Sequence, residues 1–210
     1  MIENFQFTYE QWQGGRLSRI EVADFEILTP WETSGDGEEW NRILIDPGVV
    51  FGNGLHPTTQ DCLRALVYAA DKRPFERVLD LGTGTGILSV AAALLGASEV
   101  LAVDLNPLCA KTAKRNAELN HQKEKIEVVE GSAEGFFDKA ADLVVANIHY
   151  EVIQKLLKAR RFCPKERLVV SGLMRSQVRD VKEQMGRSRI NVVKEWDRDM
   201  TWFTILAEIG

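Results

Sequence analysis

Cysteine and histidine are scarce in this chain, and neither has the spacing of a bonded framework. The 210 residues include three of each: Cys62, Cys109, Cys163, His56, His121 and His149. Widely separated cysteines in odd number match neither a disulfide framework nor a zinc site, and no two histidines are spaced like metal ligands. We therefore expect reduced cysteines that pack in the interior, and no bound metal.

Long hydrophobic runs and an excess of positive charge are also lacking. No segment approaches the roughly 18 apolar residues that a membrane-spanning helix needs, and the start, Met1 to Gln6, is too polar for a signal peptide. The net charge is −5, whereas nucleic-acid-binding proteins usually present a basic face. These features predict a cytoplasmic protein without a membrane partner. They argue against nucleic acid, but a local basic patch between Lys155 and Arg167 leaves that partner open.

The chain does have a regular alternation of strand and helix patterns from residue 75 onward. Strands are predicted at 77–81, 99–103, 126–130, 142–146 and 167–171, and helices at 87–96, 107–120, 148–160 and 175–186. Such alternation is typical of an α/β protein whose parallel sheet carries helices on both faces. Two further strands, 190–196 and 201–207, are joined by a short polar loop, which predicts an antiparallel hairpin.

The first 46 residues have a different character. Strands are predicted at 22–28 and 42–45, on either side of a polar loop at 33–39 that contains two glycines. We expect these strands to form a small hairpin that caps the main domain. The chain is therefore divided into a short β appendage, residues 1–46, and one main domain, residues 47–210, which is long enough for a sizeable core.

The most informative motif joins the first two strands of the main domain. Gly82, Gly84 and Gly86 follow a strand that contains Asp80, and Asp104 ends the next strand. Glycine lets the backbone approach a ligand closely, and a carboxylate at a strand end can bind both hydroxyls of a ribose. The motif predicts an adenosine-containing cofactor. The alternative is a tight turn without a ligand.

The glycine spacing distinguishes between cofactors. The dinucleotide fingerprint Gly-x-Gly-x-x-Gly needs its third glycine at position 87, which is Ile87. The spacing Gly-x-Gly-x-Gly after an acidic strand residue instead resembles the class I methyltransferases, which bind S-adenosylmethionine. That resemblance implies a Rossmann-like, seven-stranded, mostly parallel sheet with an antiparallel C-terminal hairpin. A nicotinamide oxidoreductase is a distant alternative.

A second motif, which we call the threonine loop (residues 46–59), is more specific. It reads Asp-Pro-Gly-Val-Val-Phe-Gly-Asn-Gly-Leu-His-Pro-Thr-Thr and precedes a helical pattern that starts near Gln60. It resembles the loop of the ribosomal protein L11 methyltransferases, with Val50 and Asn53 in place of an alanine and a threonine. Residues 103–107, 130–132 and 145–148 agree with the same family, so the resemblance spans residues 40 to 209. The alternative is that Thr58 and Thr59 only cap the following helix.

The two motifs together predict a cofactor site. The predicted cofactor-binding residues are Thr59, Asp80, Gly82, Gly84, Gly86, Asp104, Ser132 and Asn147. The family resemblance implies that Thr59 and Gly82 contact the methionine end of S-adenosylmethionine. It also implies that Asp104 binds the ribose and that Asn147 lies where cofactor and acceptor meet. Ser132 is expected near the adenine, and a helix-start role is an equal alternative.

The resemblance implies methyl transfer to a protein amine, a lysine or an N-terminal amine, with a ribosomal protein of the L11 type as the acceptor. Asn147 and His149 are the candidate catalytic residues, although His149 also suits a helix start. Members of the family carry an N-terminal domain that grips the ribosomal protein, and this chain has only the part next to the linker. The acceptor is therefore predicted less firmly than the cofactor.

Other functions stay open. Family relatives without the N-terminal domain include mitochondrial lysine methyltransferases that act on an electron-transfer flavoprotein subunit. A methyltransferase for RNA or a small molecule would be favoured by a basic surface around the strand ends. A non-catalytic S-adenosylmethionine-binding module would be favoured by an occluded acceptor channel.

Overall fold

The computed structural model describes residues 19–31, 42–46, 48–159 and 166–209. The strands are β1 (Ile20–Val22), β2 (Phe25–Leu28), β3 (Arg42–Leu44), β4 (Arg77–Leu81), β5 (Glu99–Asp104), β6 (Ile126–Glu130), β7 (Leu143–Asn147), β8 (Arg167–Met174), β9 (Ile190–Arg198) and β10 (Trp202–Ile209). The helices are α1 (Pro57–Lys72), α2 (Ile87–Leu94), α3 (Pro107–Leu119), α4 (Tyr150–Lys158) and α5 (Arg175–Arg187), with a 3-10 turn at Ala133–Phe136. Cys163 lies outside the described residues.

The main sheet has seven strands in the order β6-β5-β4-β7-β8-β10-β9. The five strands from β4 to β8 pair in parallel, since a helix or a helical turn returns the chain between successive strands. Strand β10 lies between β8 and β9 and is antiparallel to both. The predicted mostly parallel sheet with an antiparallel C-terminal hairpin is confirmed. Its strands begin and end within a few residues of the predicted limits.

The central strands are buried on both faces and separate two apolar layers. In β4, Val78 packs in the layer that contains α1, α2 and α3, whereas Leu79 packs in the layer that contains α4 and α5. This explains why the central strands are almost continuously hydrophobic rather than alternating. The carboxyl ends of these strands therefore form one edge, framed by helix starts and loops.

The small N-terminal sheet differs from the prediction. The expected strand at 22–28 is broken by a turn at Ala23, whose φ of 50° is left-handed, so that β1 and β2 form the hairpin. Strand β3 pairs with β2 in parallel, and the predicted hairpin between 22–28 and 42–45 is wrong. The parallel register places Ile27 opposite Ile43, and both side chains are buried in the core shared with α1 and α2. The division of the chain at residue 46 stays a prediction.

Two asparagines of the α3 region hold the small sheet against the main domain. Asn120, the residue after α3, accepts a hydrogen bond from the backbone N–H of Leu44 (2.8 Å) and donates to its carbonyl oxygen (2.7 Å). Asn116 does the same for Asp46, at 2.9 and 3.0 Å. These contacts satisfy the edge of β3, whose backbone groups would otherwise stay unpaired. They also fix the point where the threonine loop begins.

We expect Asn120→Ala to lower the free energy of unfolding by about 2 kcal/mol, because two backbone groups of Leu44 lose their partners. Urea denaturation followed by circular dichroism measures the change. The matched control is Asn191→Ala, at an exposed position of β9, which should change stability by less than about 0.5 kcal/mol. Equal effects of the two substitutions would contradict the assigned role of Asn120.

Candidate functional site

A cavity of about 690 Å³ opens at the carboxyl ends of the central strands. From β4 the chain continues to β5 and β6 on one side of the sheet, and then returns to β7 and β8 on the other side of β4. The cavity lies at this reversal of the strand order. Open α/β sheets bind ligands at this reversal point because the loops diverge there. The lining residues include Phe51, His56, Thr58, Gly82, Gly84, Asp104, Leu105, Cys109, Ser132, Ala133, Glu134, Asn147, His149, Tyr150, Gly172 and Trp202.

Asp104 is held in place at the end of β5. One carboxylate oxygen accepts a hydrogen bond from the N–H of Gly84, and the other accepts one from the N–H of Asn106, both at 2.9 Å. The side chain lines the cavity and is half-buried. Because the carboxylate is fixed by backbone donors, it presents its remaining lone pairs to a ligand at a defined position.

The glycine loop (Gly82–Gly86) passes close to its neighbours. Gly84 has a positive φ of 57°, and a Cβ there would lie 2.4 Å from the carbonyl oxygen of Phe51. At Gly82, with φ of 75°, a Cβ would lie 2.8 Å from the side chain of Ile148. Both positions therefore require glycine for conformation and for space.

Asp80 lies behind the glycine loop and is almost completely buried. One carboxylate oxygen accepts hydrogen bonds from the hydroxyls of Thr83 (2.7 Å) and Ser89 (2.6 Å). The other oxygen is buried and has no partner among the described residues. Burial raises the pKa of Asp80 to about 6, although the two hydroxyl donors oppose the shift. A buried acid with one unused oxygen is typical of a functional site rather than of packing.

The threonine loop covers one side of the cavity. Helix α1 starts at Pro57, and not near Gln60 as predicted, with the ring of His56 as its N-cap. The Nδ1 atom of His56 lies 2.8 Å from the hydroxyl oxygen of Thr58 and 3.3 Å from its backbone nitrogen. The cap is therefore His56 rather than either threonine. Burial lowers the pKa of His56 and favours the neutral ring that a cap requires.

Three aromatic rings lie in series along this side of the cavity. His56 makes edge contacts with Phe51 and Trp202, at centroid distances of 5.1 and 5.3 Å. All three residues line the cavity. Their proximity depends on the C-terminal hairpin meeting the start of α1, which no local pattern shows.

Ser132 and Glu134 lie on the cavity wall beyond β6. The hydroxyl of Ser132 donates to Glu134, and Lys155 donates to the same carboxylate at 2.8 Å. The Lys155 ammonium and the Ser132 hydroxyl lower the pKa of Glu134 to about 2. The hydroxyl of Ser132 is thus used within the helix start, while its backbone still borders the cavity.

Asn147 ends β7 and lines the cavity together with His149, the N-cap residue of α4. A Cβ on Gly172 of the neighbouring β8 would lie 3.5 Å from the amide oxygen of Asn147, so these two strand ends approach closely. His149 is exposed and makes no side-chain cap bond. Asn147 therefore has the more defined position of the two catalytic candidates.

The structure brings most of the predicted site together. Of the eight predicted cofactor-binding residues, the cavity is lined by Gly82, Gly84, Asp104, Ser132 and Asn147. Thr59, Asp80 and Gly86 are not among the lining residues. Thr59 is buried, and its hydroxyl, like one oxygen of Asp80, has no partner among the described residues.

Comparison with known proteins identifies the family. The family model "Ribosomal protein L11 methyltransferase (PrmA)" matches residues 10–209. The chain belongs to the ribosomal protein L11 methyltransferase family. It is 37% identical to the ribosomal protein L11 methyltransferase of Geobacillus kaustophilus over 186 residues, 84% of this chain and 59% of that protein. It is 32% identical to the Aquifex aeolicus relative over 211 residues, 100% of this chain and 79% of that protein.

A solved structure agrees with this assignment. The ribosomal protein L11 methylase of Lactobacillus delbrueckii superposes with a TM-score of 0.80 at 28% identity, covering 91% of this chain and 98% of that one. The main sheet is therefore the Rossmann-like sheet of a methyltransferase. The chain spans less than two thirds of the Geobacillus relative's length.

Two expected absences concern metals and membranes. Among residues 19–31, 42–46, 48–159 and 166–209, no cluster of histidine, cysteine, aspartate or glutamate is arranged to hold a metal ion. No helix in the described ranges is long and apolar enough to span a bilayer.

Cys62 is buried, and burial raises the pKa of its thiol to about 12, as expected for a reduced packing residue.

The buried carboxyl of Asp80 predicts a pH dependence of stability. A carboxyl whose pKa is raised from 3.8 to about 6 by folding stabilises the native state while protonated, and this contribution is lost as the pH rises between those values. The stability difference between wild type and Asp80→Asn should therefore shift against wild type by about 2 kcal/mol from pH 4 to pH 7. Urea denaturation of both proteins across this range measures it. Parallel pH profiles would contradict the raised pKa.

Proposed function

We propose that this chain binds S-adenosylmethionine and transfers its methyl group to an amine of ribosomal protein L11. The observation that carries the proposal is Asp104, held at the end of β5 by the N–H of Gly84 inside a cavity at the strand reversal. The two hydroxyls of a ribose need a fixed hydrogen-bond acceptor such as this carboxylate. The reaction itself is inferred from membership of the family.

The residues present fit this cofactor. The cavity, about 690 Å³, is within the range of small-molecule sites. Asp104 would bind the ribose, with Leu105 and Ala133 providing apolar surface for the adenine. The hydroxyl of Thr59 and one oxygen of Asp80 are buried and have no partner among the described residues, so each is open to a polar group of the methionine end. Ionised Asp80 would favour the positive charge of an amino group there.

The chain's own residues account for the transfer step mainly by placement. When bound, S-adenosylmethionine supplies an electrophilic methyl group on its sulfonium. Asn147 can accept a hydrogen bond from the incoming amine through its side-chain oxygen and so direct the lone pair. The rings of Phe51, His56 and Trp202 would shield the transfer from water on the side of the cavity that they line. Alignment of this kind can contribute about 7–11 kcal/mol to barrier lowering.

The proposed acceptor is ribosomal protein L11, the protein that the names of the relatives specify. A protein that acts on this acceptor would work in the cytoplasm. RNA as the acceptor has less support from the described ends of the basic stretch between Lys155 and Arg167. Arg167 is buried, and Lys155 is paired with Glu134.

We expect Asp104→Ala to weaken S-adenosylmethionine binding at least tenfold, or about 1.4 kcal/mol, because the fixed acceptor for the ribose is lost. Isothermal titration calorimetry measures the affinity. The matched control is Asp71→Ala, an exposed carboxylate near the end of α1, which should bind like wild type. Unchanged affinity of Asp104→Ala would remove the ribose assignment.

We expect wild-type protein to transfer labelled methyl from S-adenosylmethionine to unmethylated ribosomal protein L11, and Asn147→Ala to lower kcat about 100-fold. Asn191→Ala serves as the control at an exposed strand position. Label on RNA or on another lysate protein would change the acceptor and keep the enzyme. Cofactor binding without any transfer would instead favour a non-catalytic binding module.

A further inference from the structure

Thr85, in the middle of the glycine loop, makes two hydrogen bonds to the threonine loop. Its hydroxyl donates to the carbonyl oxygen of Gly52 at 2.6 Å, and its backbone N–H donates to that of Phe51 at 3.0 Å. Thr85 is completely buried, and it does not line the cavity. It therefore contacts the loop that covers the site, and not the site itself.

The backbone around these bonds leaves no room for other side chains. A Cβ on Gly52, whose φ is 110°, would lie 2.7 Å from the hydroxyl of Thr85, and a Cβ on Gly84 would lie 2.4 Å from the carbonyl oxygen of Phe51. The two loops thus meet backbone to backbone, with glycine on both sides. This close approach allows a side chain as short as threonine to join them.

Asn116 supports the same junction from below. Its side-chain amide donates to the carbonyl oxygen of Thr85 at 2.8 Å and to that of Asp46 at 3.0 Å. The start of the threonine loop and the turn that contains Thr85 are therefore held by one buried side chain. The covering segment, residues 48–56, is anchored at its start by Asn116 and near its middle by Thr85.

Segment 48–56 exposes three large apolar side chains, Val49, Phe51 and Leu55. Phe51 is 53% exposed, although it lines the cavity. Two contacts hold Phe51 over the cavity: its carbonyl oxygen accepts a hydrogen bond from the backbone N–H of Thr85, and its ring contacts that of His56. The bonds from Thr85 are therefore the polar part of what keeps Phe51 in place.

We propose that Thr85 is a positioning residue whose hydroxyl holds segment 48–56 over the cavity and so slows the departure of the cofactor. The inference rests on the proposed function for the identity of that cofactor. The hydrogen bonds between Thr85 and segment 48–56 are present in the protein without any cofactor. Losing the hydroxyl leaves the buried carbonyl of Gly52 without its partner, which favours an open segment.

The experiment compares Thr85→Val, which removes the hydroxyl at nearly constant shape, with Thr85→Ser, which keeps it. For Thr85→Val we expect dissociation of S-adenosylmethionine about tenfold faster by stopped-flow and a KM for the cofactor about tenfold higher, with kcat at saturation within about twofold. Hydrogen exchange of the peptide covering residues 48–56 should also be faster without cofactor. Thr85→Ser should restore the dissociation rate, the KM and the exchange rate to their wild-type values.

Two further variants separate positioning from general stability. Val181→Ala removes buried apolar volume from α5, in the layer of α4 and α5, without touching Thr85 or the threonine loop; it lowers stability and should not speed dissociation. Gly52→Ala pushes against the Thr85 hydroxyl from the other loop and should act like Thr85→Val, which keeps the test valid if the latter fails to fold. Equal dissociation rates for Thr85→Val and wild type, unchanged exchange of 48–56, or equal acceleration by Val181→Ala would each overturn the inference. If wild type binds no S-adenosylmethionine, the proposed function fails, and the exchange measurement still decides whether Thr85 fastens the segment.

Discussion

The site depends on one contact between backbones, in which the glycine loop folds back over the end of β5. The N–H groups of Gly82 and Thr83 donate to the carbonyl oxygen of Val103, at 2.8 and 3.0 Å, and that of Gly84 donates to Asp104. This contact turns the chain away from β4, orients the Asp104 carboxylate and opens the cavity beside β7. Without glycine at positions 82 and 84 the loop could not approach so closely, because Ile148 and Phe51 occupy the space.

The remaining parts of the site are fixed relative to this loop from three directions. Asp80 holds it from behind through the hydroxyls of Thr83 and Ser89. The threonine loop covers it from the front through Thr85. The side chain of Asn116 donates to the carbonyl oxygens of Thr85 and Asp46, and so joins the glycine loop to the start of the threonine loop. A change in any of these bonds should therefore alter the part of the cavity that Asp104 and the glycine loop line.

Burial of the ionised Asp80 carboxylate lowers the stability of the fold and leaves a charged group beside the glycine loop. Its raised pKa means that desolvation outweighs the two hydroxyl donors, so that an apolar residue would be easier to accommodate. Proteins tolerate such groups where a ligand compensates for them. The hydroxyl of Thr59, near the start of α1, is a second buried polar group without a partner among the described residues.

The sequence by itself determined the elements and the chemistry of the cofactor. The alternation of apolar strands and helices, the spacing Gly82-Gly84-Gly86 and the short link before Trp202 are local patterns, and local sterics and burial decide what they form. Tertiary structure decided what meets across long separations. It paired β2 with β3 in parallel, placed Trp202 against His56, buried Arg167 against the carbonyl groups at the end of α1, and joined Thr85 to Gly52. These contacts depend on the packing of separate elements around one sheet, and side chains far apart in sequence carry no local signal of their partners.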